Sequence, residues 1–274
     1  MKFPIHQDLL PPRSRRRPGE RLGHGVRFLV AHDSGQSGVT ALACLDHHKA
    51  TARTVDEREI DSTHFFVDDN HIVECVPTTL GAPEKAFHVQ YQAAREGHLF
   101  GFPPNDAALG VTLCFGGAID PEAAYIRFVW LMAHLCFLYK LEPTKRIVGH
   151  CLLDPASHDD PMGAFKFLRK SFDAFTDDVQ IELAEMQQQS EKHHPGSLFS
   201  VAPAKTYPRR VRTTVRLNVR SGRPRTTGDW VETLPANTEL DVFGEVDGER
   251  IGGNGTWYLD SRFFFIWSGG TVDD

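Results

Sequence analysis

The patterning of this chain predicts a mixed α/β domain followed by a small all-β barrel. Three observations carry that expectation. Apolar runs of strand length alternate with helical segments up to about residue 175. A long helical segment of increasing polarity then breaks at Pro195-Gly196. Beyond residue 208 the texture changes to short segments alternating in period 2, with turn residues about every 8–12 positions.

Taken in order, "VRFLVAHDSG" (26–35) reads as a buried strand closed by a Ser-Gly turn. "THFFVDDNHIVECVP" (63–77) reads as a hairpin, two apolar runs flanking the turn formers Asp68, Asp69 and Asn70. "ALGVTLCFGG" (108–117) is a further strand ending in glycines. In the segment 119–143, Asp120 stands as N-cap, Pro121 takes the first helical position and apolar residues recur at helical spacing until Pro143 stops the run. "KRIVGH" (145–150) is a short strand, and 165–194 is read as one helix. "SLFSVAPAKTYP" (197–208) has a linker's composition. The expected organisation is a tail over 1–25, an α/β domain over 26–175, a helical connector and linker over 176–207, and a barrel over 208–274. The Arg-rich "RSRRR" of the tail is expected to be solvated.

Composition narrows the class of function. Hydrophobic content of 41% and charged content of 24% are those of a soluble globular chain. A net charge of −6 argues against nucleic acid as the main partner. Five scattered cysteines with no CxxC pair exclude a zinc ribbon and give no disulfide framework. No window reaches the roughly 18 uninterrupted apolar residues of a membrane helix. The N-terminus lacks the apolar core of a signal peptide, so synthesis in the cytosol and export by another route are expected.

The richest stretch is "VGHCLLDPASHDDP" (148–161), which gathers His150, His158, Asp159 and Asp160. A catalytic zinc needs three protein ligands and one open position. His150 ends one strand and Asp160 follows the intervening loop; a third ligand should end a neighbouring strand, where "LVAHDSG" offers His32. Asp159, adjacent to Asp160, is the alternative carboxylate.

The order of these segments resembles zinc-dependent N-acetylmuramoyl-L-alanine amidases of the type-2 amidase and peptidoglycan recognition protein superfamily. That family has a strand ending in a ligand histidine, then a hairpin like "STHFFVDDNHIVECVP". An aromatic-histidine element follows, here "AFHV" (86–89), and an asparagine before an "IGIEL"-like strand, here "NDAALGVTL" (105–113). A helix and a "GH…DP" loop complete it. The resemblance spans about residues 26–170 and implies Zn2+ held by His32, His150 and Asp160. It implies hydrolysis of the amide between N-acetylmuramic acid and L-alanine of the stem peptide, with peptidoglycan or a muropeptide as substrate. Alternatives of the same ancestry are a peptidoglycan-binding protein without turnover and a zinc peptidase cutting another amide. His158 matches the family's oxyanion-stabilising lysine, and an imidazole can take that part as a hydrogen-bond donor. Thr112 stands where many members carry a glutamate base, and threonine cannot act as one. Glu74 or His64 is expected to replace it, unless water activated by the metal needs little help. His88 and Asn105, with His64 and Thr112, match positions lining the substrate groove.

In the last part of the chain, "LNVRSGRP" (217–224) resembles the opening of bacterial SH3-like (SH3b) domains, and the following strands fit their order over about 208–270. That resemblance implies a module binding cell-wall peptide. Trp230, Trp257, Tyr258 and Trp267 are candidates for its surface, at least two of them for its core.

Overall fold

The computed structural model describes residues 2–56, 59–78, 83–90, 100–193, 209–221, 224–227, 229–242, 244–260 and 264–273. The chain forms two compact units, residues 2–78 with 83–184, and residues from 185 onward. The linker reading over 197–208 lies outside the described residues.

In chain order the first unit contains β1 (His6–Gln7), β2 (Phe28–Asp33), α1 (Ala41–Thr51), β3 (Phe65–Val67), β4 (Ile72–Glu74), α2 (Pro104–Ala107), β5 (Ala108–Leu113), α3 (Pro121–Tyr139), α4 (Pro143–Arg146), β6 (Ile147–Gly149), α5 (His150–Leu153), α6 (Met162–Leu168) and α7 (Phe172–His193). Its six strands form one mixed sheet in the order β1-β4-β3-β5-β2-β6, parallel except for the β3–β4 hairpin. Phe28 through Ala31 and all of β5 are buried, as the continuous apolar runs require of strands covered on both faces.

The expected hairpin forms, and Asp68 explains its turn. Its buried carboxylate accepts hydrogen bonds from the Asn70 and His71 N–H groups at 2.8 and 2.7 Å with one oxygen. The other oxygen accepts from Ala41 N–H at 2.9 Å and satisfies the first turn of α1, where Thr40 is the N-cap. The helix α3 begins as read, with Asp120 Oδ1 accepting from the Glu122 and Ala123 N–H groups and Pro121 in the first position. It ends at Lys140, which takes a left-handed conformation.

Two expectations are corrected. Residues 1–25 are not a solvated tail: β1 pairs in parallel with β4, and Leu10 and Leu22 are buried. Arg16, 4% exposed, hydrogen-bonds Thr51 Oγ1 and Asp61, while Arg17 makes a two-pronged pair with Glu84 at 2.7 and 2.8 Å. A run of arginines reads as solvent-exposed only until its distant carboxylate partners are known. The segment 165–194 is also not one helix. Arg169 adopts φ 54° and closes α6, Lys170 N–H bonds back to Phe165 C=O, and α7 restarts after Ser171. Phe175, Val179 and Leu183, four residues apart, are buried, so α7 belongs to the first unit through residue 184.

Beyond the end of α7, the described residues of the second unit form strands and one short 3-10 turn (Ser268–Gly270): β7 (Arg209–Thr213), β8 (Leu217–Ser221), β9 (Asp229–Leu234), β10 (Glu239–Val242), β11 (Gly244–Ile251), β12 (Asn254–Leu259), β13 (Phe265–Trp267) and β14 (Thr271–Asp273). They form a three-stranded sheet, β10-β7-β14, and a five-stranded sheet, β11-β12-β13-β8-β9. Val211, Val219, Val242, Tyr258 and Ile266 fill the core. Gly252 and Gly253, at φ 59° and 89°, make the β11–β12 turn that side-chain-bearing residues rarely adopt. Trp257 is buried, Trp267 is half-buried and Trp230 is 63% exposed. Among the described residues no helix is long and apolar enough to cross a membrane.

Candidate metal centre

The site follows from strand register. In β2, alternate side chains Phe28, Val30 and His32 share a face, and His32 pairs with Thr112 of β5. On the other side of β2, Ala31 pairs with Gly149, so the chain leaves β6 with His150 beside His32. The lower part of this face is apolar, with Phe28, Val30, Val89, Ala107, Ala108, Val148 and Leu153 in one cluster. The polar end lies where the parallel strands terminate.

Asp160 returns to that end because Cys151 N–H donates to its carbonyl at 2.9 Å, closing the loop. Its Oδ2 lies 2.8 Å from His32 Nδ1 and 3.2 Å from His150 Nδ1. Asp159 is exposed. Burial pushes the His32 imidazole toward its neutral form, against the opposing pull of Asp160. For Asp160, burial works to raise the carboxyl, but hydrogen bonds with His150 and His32 outweigh it and hold the group well below the usual carboxylate range. His158 stacks on His150 with ring centroids 3.9 Å apart, its Nδ1 3.5 Å from Asp160 Oδ1 and its Nε2 3.7 Å from Asp154 Oδ2. It is a third exposed, at the rim.

His88 joins the cluster from the other side, its Nδ1 3.1 Å from His32 Nε2. Its ring lies against the backbone of Gly110, where a Cβ would come within 2.8 Å of His88 Cγ. Position 110 therefore has to be glycine for His88 to reach His32. Asn105 holds the segment in place: its side-chain oxygen accepts from the His88 and Val89 N–H groups, and its amide donates to Val89 C=O at 2.6 Å. Asn105 is thus bonded to the His88–Val89 backbone rather than to His32, His150 or Asp160 among the described residues.

The two residues expected to replace a glutamate base are otherwise engaged. Glu74 pairs with Phe65 and shares the opposite face of the sheet from His32. Its buried carboxylate accepts from Thr78 Oγ1 at 2.8 Å and Gln7 Nε2 at 3.2 Å, a structural arrangement remote from the cluster. His64 lies nearer, its ring 5.7 Å from that of His88, but both its nitrogens serve the backbone. Nδ1 accepts from Gly110 N–H at 2.9 Å and Nε2 donates to Glu84 C=O at 3.0 Å. Thr112, buried beside His32, is where its register puts it. Asp154 was not among the expected residues; its place midway between His150 and His158, four residues from each, is the signal that points to it.

The donor atoms of His32, His150 and Asp160 all lie within 4.8 Å of one another. Around one zinc with bonds near 2.05 Å, ligand atoms stand about 3.3 Å apart, and two imidazoles with a carboxylate are a set this ion accepts. His150 Nε2 and His88 Nε2 are buried without a hydrogen-bond partner among the described residues. A bound ion or water is one way in which such buried atoms are satisfied. The residues fit a zinc ion.

Residues 22–163, over half of the 274, match the family described as Amidase_2, N-acetylmuramoyl-L-alanine amidase. The chain belongs to this family. It is accordingly a peptidoglycan amidase, an enzyme that hydrolyses an amide bond. Among solved structures it is similar to the Staphylococcus aureus hydrolase AmiA in complex with its ligand, at 18% identity and TM-score 0.50, covering 68% of this chain and 86% of that one. It is also similar to the catalytic domain of XlyA (21% identity, TM-score 0.49, 65% and 99% covered). A mutant endolysin from Bacillus subtilis is a further neighbour (20%, TM-score 0.49, 64% and 98% covered). The likeness to AmiA bears on the fold. Comparison with curated proteins gives no match.

The buried state of His64 has a consequence for stability in this amidase. Burial lowers its pKa from 6.5 to about 4, against the hydrogen bond to Glu84 C=O, which raises it. Because the folded value lies below the unfolded one, the unfolded chain binds more protons between them, and stability rises with pH across that window. The contribution is complete above about 6.5 and is lost as pH falls through 4, amounting to about 3 kcal/mol. Urea unfolding between pH 4 and 7 should show this slope in the wild type and a shallower one in His64→Gln. Part of the remaining slope is expected from His88, which burial shifts the same way.

Proposed function

We propose that this amidase is zinc-dependent, that His32, His150 and Asp160 hold the ion, and that the bond cut joins the lactyl group of N-acetylmuramic acid to L-alanine of the stem peptide. The observation that carries the metal assignment is the Asp160 carboxylate within 3.2 Å of two buried strand-end histidines. When bound, zinc supplies Lewis-acid chemistry, polarising a carbonyl and lowering the pKa of water.

The chain's own residues do the rest. His88 fixes the ring plane of His32 through the 3.1 Å Nδ1–Nε2 contact, an outer contact of the kind that orients metal ligands. Asn105 and Gly110 keep His88 in that position. His158, at the rim and backed by Asp154, presents an N–H that stabilises the oxyanion developing on the scissile carbonyl. Thr112 supplies no proton acceptor, and Glu74 is on the other face.

For residues 209–273 we propose an SH3-like module that binds cell-wall peptide. Its support is a set of short strands in two small sheets, with Trp230 exposed and its Nε1 donating to Thr233 Oγ1 at 3.1 Å.

Three measurements test these readings. Elemental analysis should find about one zinc per chain. His150→Ala and Asp160→Asn should lose most of it, while Asp159→Asn should keep it; full retention in His150→Ala would move the site. Product mass spectrometry on a defined muropeptide should show cleavage at the N-acetylmuramic acid–L-alanine bond, with kcat lower by about 10²-fold in His158→Ala. His158→Lys should recover most of the rate, and unchanged kinetics in the alanine variant would remove His158 from the mechanism. Finally, a chain stopped after His193 retains the whole first unit and should hydrolyse soluble muropeptide at nearly the full rate. Its activity on intact sacculi should fall, because the tethered module raises the local concentration of enzyme. Equal losses on both substrates would end the delivery reading.

A further inference from the structure

Two of the five cysteines face each other away from the ligand cluster. Cys44 lies at the end of the first turn of α1, and Cys114 follows directly on β5; their Sγ atoms are 3.9 Å apart, although 70 residues separate them in sequence. This is close to sulfur–sulfur contact, and forming a bridge requires the two atoms to close to about 2.05 Å. The two cysteines differ in access: Cys44 is half-buried and Cys114 is buried.

We propose that Cys44 and Cys114 form a thiol pair that a small-molecule disulfide oxidises to an intramolecular bridge between α1 and the end of β5. Cys44 is the attacking thiol. Its thiolate attacks one sulfur of the small disulfide RSSR, forming a mixed disulfide and releasing one RS⁻. The Cys114 thiolate then attacks Cys44 Sγ, forms the protein disulfide and expels the second RS⁻. Two protein thiols are oxidised and RSSR is reduced to two thiols, the two thiol protons passing to the released RS⁻ groups.

The surroundings favour this order of attack. The hydrogen bond with Cys114 lowers the Cys44 thiol below its ordinary value, against burial and the nearby Asp68 carboxylate, which raise it. The N-terminal end of α1 adds its positive dipole. Cys114 is shifted the opposite way, by its hydrogen bond with Cys44 and by burial, so Cys44 is the one that attacks first. The other three cysteines lack this arrangement. Cys75 is buried and donates its S–H to Thr63 C=O at 2.9 Å, Cys136 is buried, and Cys151 is half-buried with its thiol pushed up by burial. The bridge would fasten loops already in contact: Ser34 N–H bonds to Leu113 C=O at 3.0 Å and Gly38 N–H to Phe115 C=O at 2.7 Å, just beyond His32 and Thr112.

The test uses the full chain, oxidised glutathione as the probe, and alkylation followed by peptide mass spectrometry. The treated wild type should become about 2 Da lighter, with one peptide pair linked through Cys44 and Cys114 and three thiols left to alkylate. A reductant should restore five. Cys114→Ser should instead accumulate the glutathione adduct on Cys44, and Cys44→Ser should remain unlinked. Five alkylatable thiols after treatment, or a stable adduct on Cys44 with Cys114 free, would overturn the proposal. The wild-type mapping decides the matter even if a variant fails to fold.

Discussion

The parallel pairing of β2 with β5 on one side and β6 on the other sets the position of the reactive side chains in the first unit. Register brings Thr112 beside His32, and the pairing of Ala31 with Gly149 delivers His150 to the same edge. A slip of one residue in either ladder would turn His32 or His150 toward the opposite face. The apolar lower half of the face resists such a slip, since Phe28, Val30, Ala108 and Val148 would leave their cluster with it. Core packing and site geometry are thus the same constraint seen at the two ends of three strands.

Around that edge the polar groups are arranged in dependent layers. Asp160 bridges the two histidines, His88 fixes one of them from behind, and Asn105 fixes His88 through the backbone. Glycine at 110 is what allows this, because the ring of His88 occupies the space a side chain would need. His64 supports the same strand from below by accepting from Gly110 N–H. Its neutrality is thereby structural, and a histidine that sequence reading offered as a base becomes part of the scaffold. His158 differs from all of these in lying at the rim, its ring stacked on His150 and in two longer carboxylate contacts.

The supporting elements show the same reliance on long-range polar pairing. Asp68 closes a hairpin and caps α1 at once, so the turn and the helix are positioned by one carboxylate. Arg16 and Arg17 are drawn in by Asp61 and Glu84 and bring the N-terminal residues against the sheet. Charged groups are buried here because each has a partner with matching geometry, the condition under which such burial is tolerated.

Much of the architecture was legible in the residues alone. Period and punctuation locate β2, the hairpin, β5 and α3, because hydrophobic periodicity and cap residues act over a few positions. The order of the motifs locates the family, and the structure brings His32, His150 and Asp160, the residues the resemblance pointed to, within 4.8 Å of one another. What lay beyond the sequence depends on partners distant along the chain. Whether RSRRR is solvated depends on residues 61 and 84; whether Glu74 or His64 can serve as a base depends on which face and which carbonyl each meets. Of the adjacent Asp159 and Asp160, the loop places the carboxylate of Asp160 within 3.2 Å of both histidines, while Asp159 is exposed. The facing of Cys44 and Cys114 across 70 residues is likewise a product of α1 packing on the sheet. Local sequence fixes local conformation, but the environment of a polar side chain is set by tertiary packing.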